Sequence, residues 1–239
     1  MSPKNQSLLN LFSKMTKIKV GLPRALLYHK YHVMWESFFE NLKGIEVVVS
    51  PETNKEIISR GTSLTVDETC LSVKLFMGHV DWLVGKVDYI FIPRIISVCR
   101  GEDLCTKFMG LTESVRNIFP DVKVLSYTID TTHFRYEFLG MMRVALRLKQ
   151  SPAVAIRAYF TAKNKFILSK KSKLAHQESK IENRVKTKPV VLIVSHPYTT
   201  YDSFFGEHIS KILEEQGIDR KSTRLNSSHL KLSRMPSSA

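Results

Sequence analysis

Asp67 to His79 reads DETCLSVKLFMGH and places a carboxylate pair and a cysteine directly ahead of a run with helical spacing. Asp67, Glu68 and Thr69 are residue types that cap helices and favour a first turn, and Leu71, Leu75 and Gly78 then recur three or four residues apart. This pattern predicts Cys70 at a helix N-terminus. Backbone N–H groups left unpaired at such an end, with the positive end of the helix dipole, favour a thiolate over a thiol. A thiolate is the form that binds metal. On local sequence alone Cys70 reads first as a small buried hydrophobe, the ordinary state of an isolated intracellular cysteine.

The chain has two other cysteines, Cys99 and Cys105. An odd count of three argues against a disulfide framework and for a reducing compartment, so a cytoplasmic location is expected. Their spacing is neither C-x-x-C nor a tight zinc-ribbon pattern, so a metal site has to be assembled from separate strand ends. The sequence has no G-x-G-x-x-G after a strand, no Walker lysine loop, no H-E-x-x-H and no G-x-S-x-G, which leaves nucleotide binding and the common hydrolase classes unsupported.

The elements that must position these residues alternate between strand and helix. KIKVG (17–21) reads as a short strand that turns at Leu22-Pro23, and Pro23 suits the first turn of a helix with Leu27, Tyr31, Met34, Phe38 and Leu42 on one face. IEVVVS suits a buried parallel strand, and 51–61 reads as a short helix with Asn54 near its start. VDYIFIPRI is a third strand, stopped by Pro93, which feeds the loop SVCRGEDLCTKFMGL. Residues 111–119 form a further helix, and VKVLSYTI is a fourth strand. Such alternation implies an α/β fold, a doubly wound parallel sheet over 17–130, with ligands taken at the carboxyl ends of the strands. A helical, lysine-rich connector covers 131–188, and the strand–loop–helix pattern restarts at 189–218 as the start of a second α/β domain. Residues 1–16 read as an N-terminal extension, and Met15 offers a second start.

At 239 residues and 43 % hydrophobic content the chain can bury a core, and no apolar run approaches the roughly 20 residues that span a bilayer. No membrane is expected. The net charge of +14 would raise nucleic acid as a partner. The lysine run at 163, 165, 170, 171 and 173 nevertheless has few interleaved aromatics and reads as a solvated helix face, so nucleic acid is not expected. Residues 219–239 look like a codon-for-codon translation of a common sequencing adapter. Without that stretch the charge falls from +14 to +10, the second domain is cut short, and the tail is expected to take no part in folding.

Six ordered motifs, VGLPRALLYHKYHVMWESFFENL, SPETNKEI, VDETCLSVKLFMGH, DYIFIPRIISV, LCTKFMGL and SHPYTTYD, closely resemble the acyl-CoA dehydratase activase-related proteins. That family is similar to the D-component of 2-hydroxyglutaryl-CoA dehydratase and to benzoyl-CoA reductase subunits. The resemblance implies an iron–sulfur protein, with a 4Fe-4S cluster on cysteines from different strand ends, acting in one-electron chemistry on CoA thioesters or passing electrons to such an enzyme. It carries metal-ligand roles onto Cys70 and Cys105. A further family cysteine belongs to the part expected to be missing, so the cluster is expected to be incomplete and the fragment inactive alone. Ser72 stands where the family usually has proline, and Cys99 stands where cysteine is not typical. Glu68, Lys74, His79 and Arg94 are expected near the strand ends, where they would hydrogen-bond cluster sulfurs or offset its charge. His196, with Tyr198 and Asp202, is expected at the cleft between domains. The implied partners are an acyl-CoA substrate or an activase ATPase, with a homodimer as one way to complete the cluster. The different-class alternative is a non-catalytic accessory subunit with structural or free cysteines.

Overall fold

β1 (Ile18–Leu22) pairs in parallel with β2 (Ile45–Val49) on one side and β3 (Tyr89–Phe91) on the other, and β6 (Val124–Leu125) extends the sheet beyond β3. The order β2-β1-β3-β6 is that of an open, all-parallel α/β sheet, as the alternation of elements predicts. The computed structural model describes residues 17–99, 102–103, 105–130, 134–182, 190–216 and 219–224. The expected extension 1–16 and residues 225–239 of the expected tail lie outside them.

Strand residues alternate between two cores, as the two-residue period of a strand requires. Phe91 and Leu125 join one cluster, while Ile90, Ile92 and Val124 join the other. Over the first cluster lies α1 (Tyr28–Glu40), whose Trp35 and Phe39 rings pack edge-on against Phe91 at 5.4 and 5.0 Å. Trp35 Nε1 donates to the hydroxyl of Tyr127 at 3.1 Å, so the polar ends of two large buried side chains satisfy each other. α6 (Phe134–Arg147) and α7 (Pro152–Glu182) complete this layer. The lysine-rich connector is thus part of the first core: Ala155, Ala158, Tyr159 and Ala162 of α7 are buried in it, while Lys165, Lys170 and Lys171 are exposed. Small residues at three- and four-residue spacing let α7 approach α1 closely, a signal that the lysines mask in composition.

The opposite layer is built by α2 (Lys55–Ser63), α3 (Leu71–Leu83) and α5 (Leu111–Ile118), with α4 (Thr106–Met109) just ahead of α5. Asn54 caps α2 by accepting the Ile57 N–H at 3.0 Å. α2 and α3 cross backbone to backbone. A Cβ on Gly61 would lie 1.8 Å from the Lys74 carbonyl oxygen, and one on Gly78 would lie 2.0 Å from that of Ile57.

Three sequence expectations need correction. Pro23 does not start a helix: residues 23–27 form a turn in which Leu26 takes φ +52°, and α1 begins only at Tyr28. β3 does end just ahead of Pro93, at Phe91, but the segment beyond the proline is not a plain loop. Proline removes only its own donor, so Ile92 N–H still binds Leu125 O at 2.8 Å and Arg94 N–H still binds Tyr127 O at 2.8 Å. The chain then continues as β4 (Arg94–Cys99), parallel to β7 (Thr128–Asp130) and antiparallel to β5 (Glu102–Asp103), where a plain loop was expected. Finally, β8 (Val190–Ser195) pairs in parallel with β9 (Asp219–Arg224), which lies inside the adapter-like stretch expected to stay out of the fold. Strand pairing uses backbone groups, so an open strand edge accepts an extended segment without regard to its side chains.

Candidate functional site

Cys70 is the residue immediately before α3, with extended backbone (φ −61°, ψ 145°), and its carbonyl accepts the N–H groups of Val73 and Lys74 at 3.0 and 3.1 Å. The helix N-terminus expected from DETC is therefore present, and Cys70 itself is the capping position. Cys105 holds the same place before α4 (φ −50°, ψ 136°), with Phe108 N–H on its carbonyl at 2.9 Å. Both thiols are exposed and free, which answers the choice between buried hydrophobe and presented thiol in favour of the second.

Tyr198 lies within electrostatic reach of both. It lies in α8 (Pro197–Thr200), the short helix after β8, with its ring 6.0 Å from Phe108 and stacked on His196 at 5.0 Å and 9°. Burial raises the Tyr198 phenol above its ordinary range, and negative charge at Cys70 and at Cys105 raises it further. A hydrogen bond from Ser72 acts in the opposite sense. One phenol thus feels both sulfurs, although the cysteines are thirty-five residues apart in sequence.

Beside this edge runs a buried polar chain. The N–H of Arg24 donates to Ser50 Oγ at 2.7 Å, Ser50 Oγ meets His79 Nδ1 at 2.9 Å, and His79 Nε2 meets Thr53 Oγ1 at 3.2 Å. Thr53 in turn donates to Asp202 Oδ2. With Thr53 committed as donor to the carboxylate, the consistent assignment gives His79 its proton on Nε2 and makes Nδ1 the acceptor from Ser50. Burial, with His29 and Arg24 nearby, pushes His79 down to about 3, so the ring is neutral at pH 7.

His79 was expected to reach a cluster sulfur, and this placement corrects that. It is fully buried, and both ring nitrogens are committed to Ser50 and Thr53. Glu68 is exposed ahead of Cys70, and Lys74 turns back to the Asp67 carbonyl at 3.2 Å. Arg94 is exposed at the start of β4, while His196 is exposed and stacked on Tyr198 beside the thiols. Cys99 pairs through its backbone with Glu102, and its side chain lies outside the described residues.

A four-thiolate cluster needs four sulfurs. Cys70 and Cys105 supply two, and among the described residues no group of three or more His, Cys, Asp or Glu side chains could hold a metal ion. The described residues therefore do not complete a cluster seat.

The sequence reading passed over His29, His32 and Glu36. They stand at i, i+3 and i+7, one face of α1, and that face lines a cavity of about 450 Å³ together with Arg24, Glu52 and Asp202. The spacing was legible; its burial was not, because the cover comes from residues 201–203. Burial pushes His29 down to about 4, against the opposing pull of Asp202.

Fold and site define an α/β protein with an open, all-parallel four-stranded sheet that offers two free thiols near one tyrosine, beside a polar cavity. Residues 19–223 match the family described as a CoA enzyme activase uncharacterised domain, and the chain belongs to that family. The matched span runs into the adapter-like stretch. No curated protein and no solved structure matches the chain. No helix among the described residues is long and apolar enough to cross a membrane.

Proposed function

We propose that this activase-related protein contributes Cys70 and Cys105 as two ligands to an iron–sulfur cluster and serves a CoA-thioester enzyme in one-electron transfer. The observation that supports this reading is the shared electrostatic reach of both sulfurs to the Tyr198 hydroxyl. Two cysteines capping two different helices both act electrostatically on that one hydroxyl, the kind of arrangement that ligands drawn from separate strand ends require. The remaining thiolates would come from a second copy or from another polypeptide. A bound cluster would supply the one-electron chemistry; the chain's own part is to present the two sulfurs and to shield one side with Tyr198 and His196. Partners of this reading are a CoA-dependent dehydratase or the ATPase that energises it.

Anaerobic reconstitution with iron and sulfide tests the proposal. Broad visible absorbance that bleaches in air, and that Cys70→Ser or Cys105→Ser removes, is the expected result. Absorbance that survives both substitutions would overturn it. The exposure of both thiols and the lack of a third described ligand favour a second reading, an accessory subunit with free cysteines. That reading predicts no bound iron and two thiols open to alkylation.

A further inference from the structure

The cavity of about 450 Å³ beside α1 has an uneven balance of hydrogen-bonding groups. Each acid on its wall already has a partner. Glu52 accepts from Arg24 Nη1 at 3.3 Å, and Glu36 accepts the Tyr28 hydroxyl. Asp202 is held by Thr53 on one oxygen and by the N–H groups of Phe204 and Phe205 on the other, at 3.0 and 3.2 Å. In contrast, Arg24 Nε and His29 Nε2 are buried without a hydrogen-bond partner among the described residues.

Arg24 Nε carries a hydrogen and can only donate, and His29 Nε2 donates when its neutral ring carries the proton there. A buried donor left without a partner is costly, and a ligand oxygen would relieve that cost. A carboxylate offers two such oxygens in one plane and forms charge-assisted bonds with a guanidinium. A doubly charged phosphate fits less well, because Glu36, Glu52 and Asp202 all line the same wall. The volume suits a small organic acid.

We propose that this cavity binds a small carboxylate, held by Arg24 Nε–H and His29 Nε2–H. The site stands apart from the thiols and does not depend on a cluster: no cysteine lines it.

The test titrates the full, metal-free chain with acetate and glutarate, with acetamide and inorganic phosphate as controls, while the histidine ring signals are followed by NMR. A saturable shift with a carboxylate, absent in His29→Gln, is expected. Arg24→Lys keeps the charge but loses the Nε–H, and should weaken binding about tenfold. Two variants on different elements keep the test decisive if one of them fails to fold. No saturable shift, equal binding of phosphate and carboxylate, or affinity unchanged in the folded variants would each overturn the proposal. Iron reconstitution is read separately, so either result leaves the cluster reading to its own experiment.

Discussion

Thr53, in the loop after β2, donates its hydroxyl hydrogen to the carboxylate of Asp202, 149 residues further along the chain. This contact ties the segment after β8 to the edge of the first sheet. It also closes the chain from Ser50 through His79, so one carboxylate both fixes the segment carrying Tyr198 and borders the cavity.

Removing that carboxylate should loosen the segment before it unfolds the sheet. Asp202→Ala strands the Thr53 hydroxyl and two backbone N–H groups, and should cost about 1–3 kcal/mol. Hydrogen exchange over 197–206 should accelerate while β1 and β3 stay protected. Exchange unchanged in that segment would show that the docking does not depend on Asp202.

Acid should weaken the fold through two neutral histidines. His79 and His29 fall from 6.5 to about 3 and about 4, so below pH 6.5 the unfolded chain takes up protons that the folded chain refuses. Their contribution is complete above pH 6.5 and is lost as the pH falls toward those lower values. The slope is about 1.4 kcal/mol per pH unit for each ring within its window. Urea midpoints from pH 7.5 to 4.5 measure it, and His79→Gln should flatten the profile by one ring's share. Parallel profiles for the two proteins would contradict the assignment.

The crossing of α2 and α3 should tolerate no side chain at its centre. Gly61→Ala and Gly78→Ala each drive a methyl into backbone carbonyl oxygen, and the helices must part. A loss of about 1–3 kcal/mol or more is expected, seen as a Tm drop of several degrees. Gly44 and Gly85 have open space but φ of +67° and +75°, so alanine there should cost only about 1 kcal/mol. Equal effects at all four positions would argue against the close crossing.

If both sulfurs reach Tyr198, its phenol should report them. The double variant Cys70→Ser, Cys105→Ser should lower the Tyr198 titration from its raised position, because negative charge at both sites helps to hold it up. Ultraviolet titration against a Tyr198→Phe reference isolates that one phenol. A midpoint indifferent to both cysteines would place the thiols apart, whatever iron the protein binds.

The alternation of β1, β2, β3 and β6 with helices, the burial of Leu27, Met34, Phe38 and Leu42, and the Cys70 cap were readable from the chain. Each depends on neighbours within a few residues, where periodicity and capping chemistry act. Pro93 was legible as the end of β3, but the strand after it was not, because β4 exists only through its pairing with β5 and β7. His79 misled for a related reason: on an apolar helix its type suggests a ligand, but Ser50 and Thr53, from another loop, take both nitrogens. The membership of α7 in the first core, the docking of Asp202 and the unpartnered donors of Arg24 and His29 were set by tertiary structure alone. Local sequence specifies which groups a residue can offer. Whether water, a neighbour or a ligand answers them depends on chain segments brought together only when the sheet and its helices close.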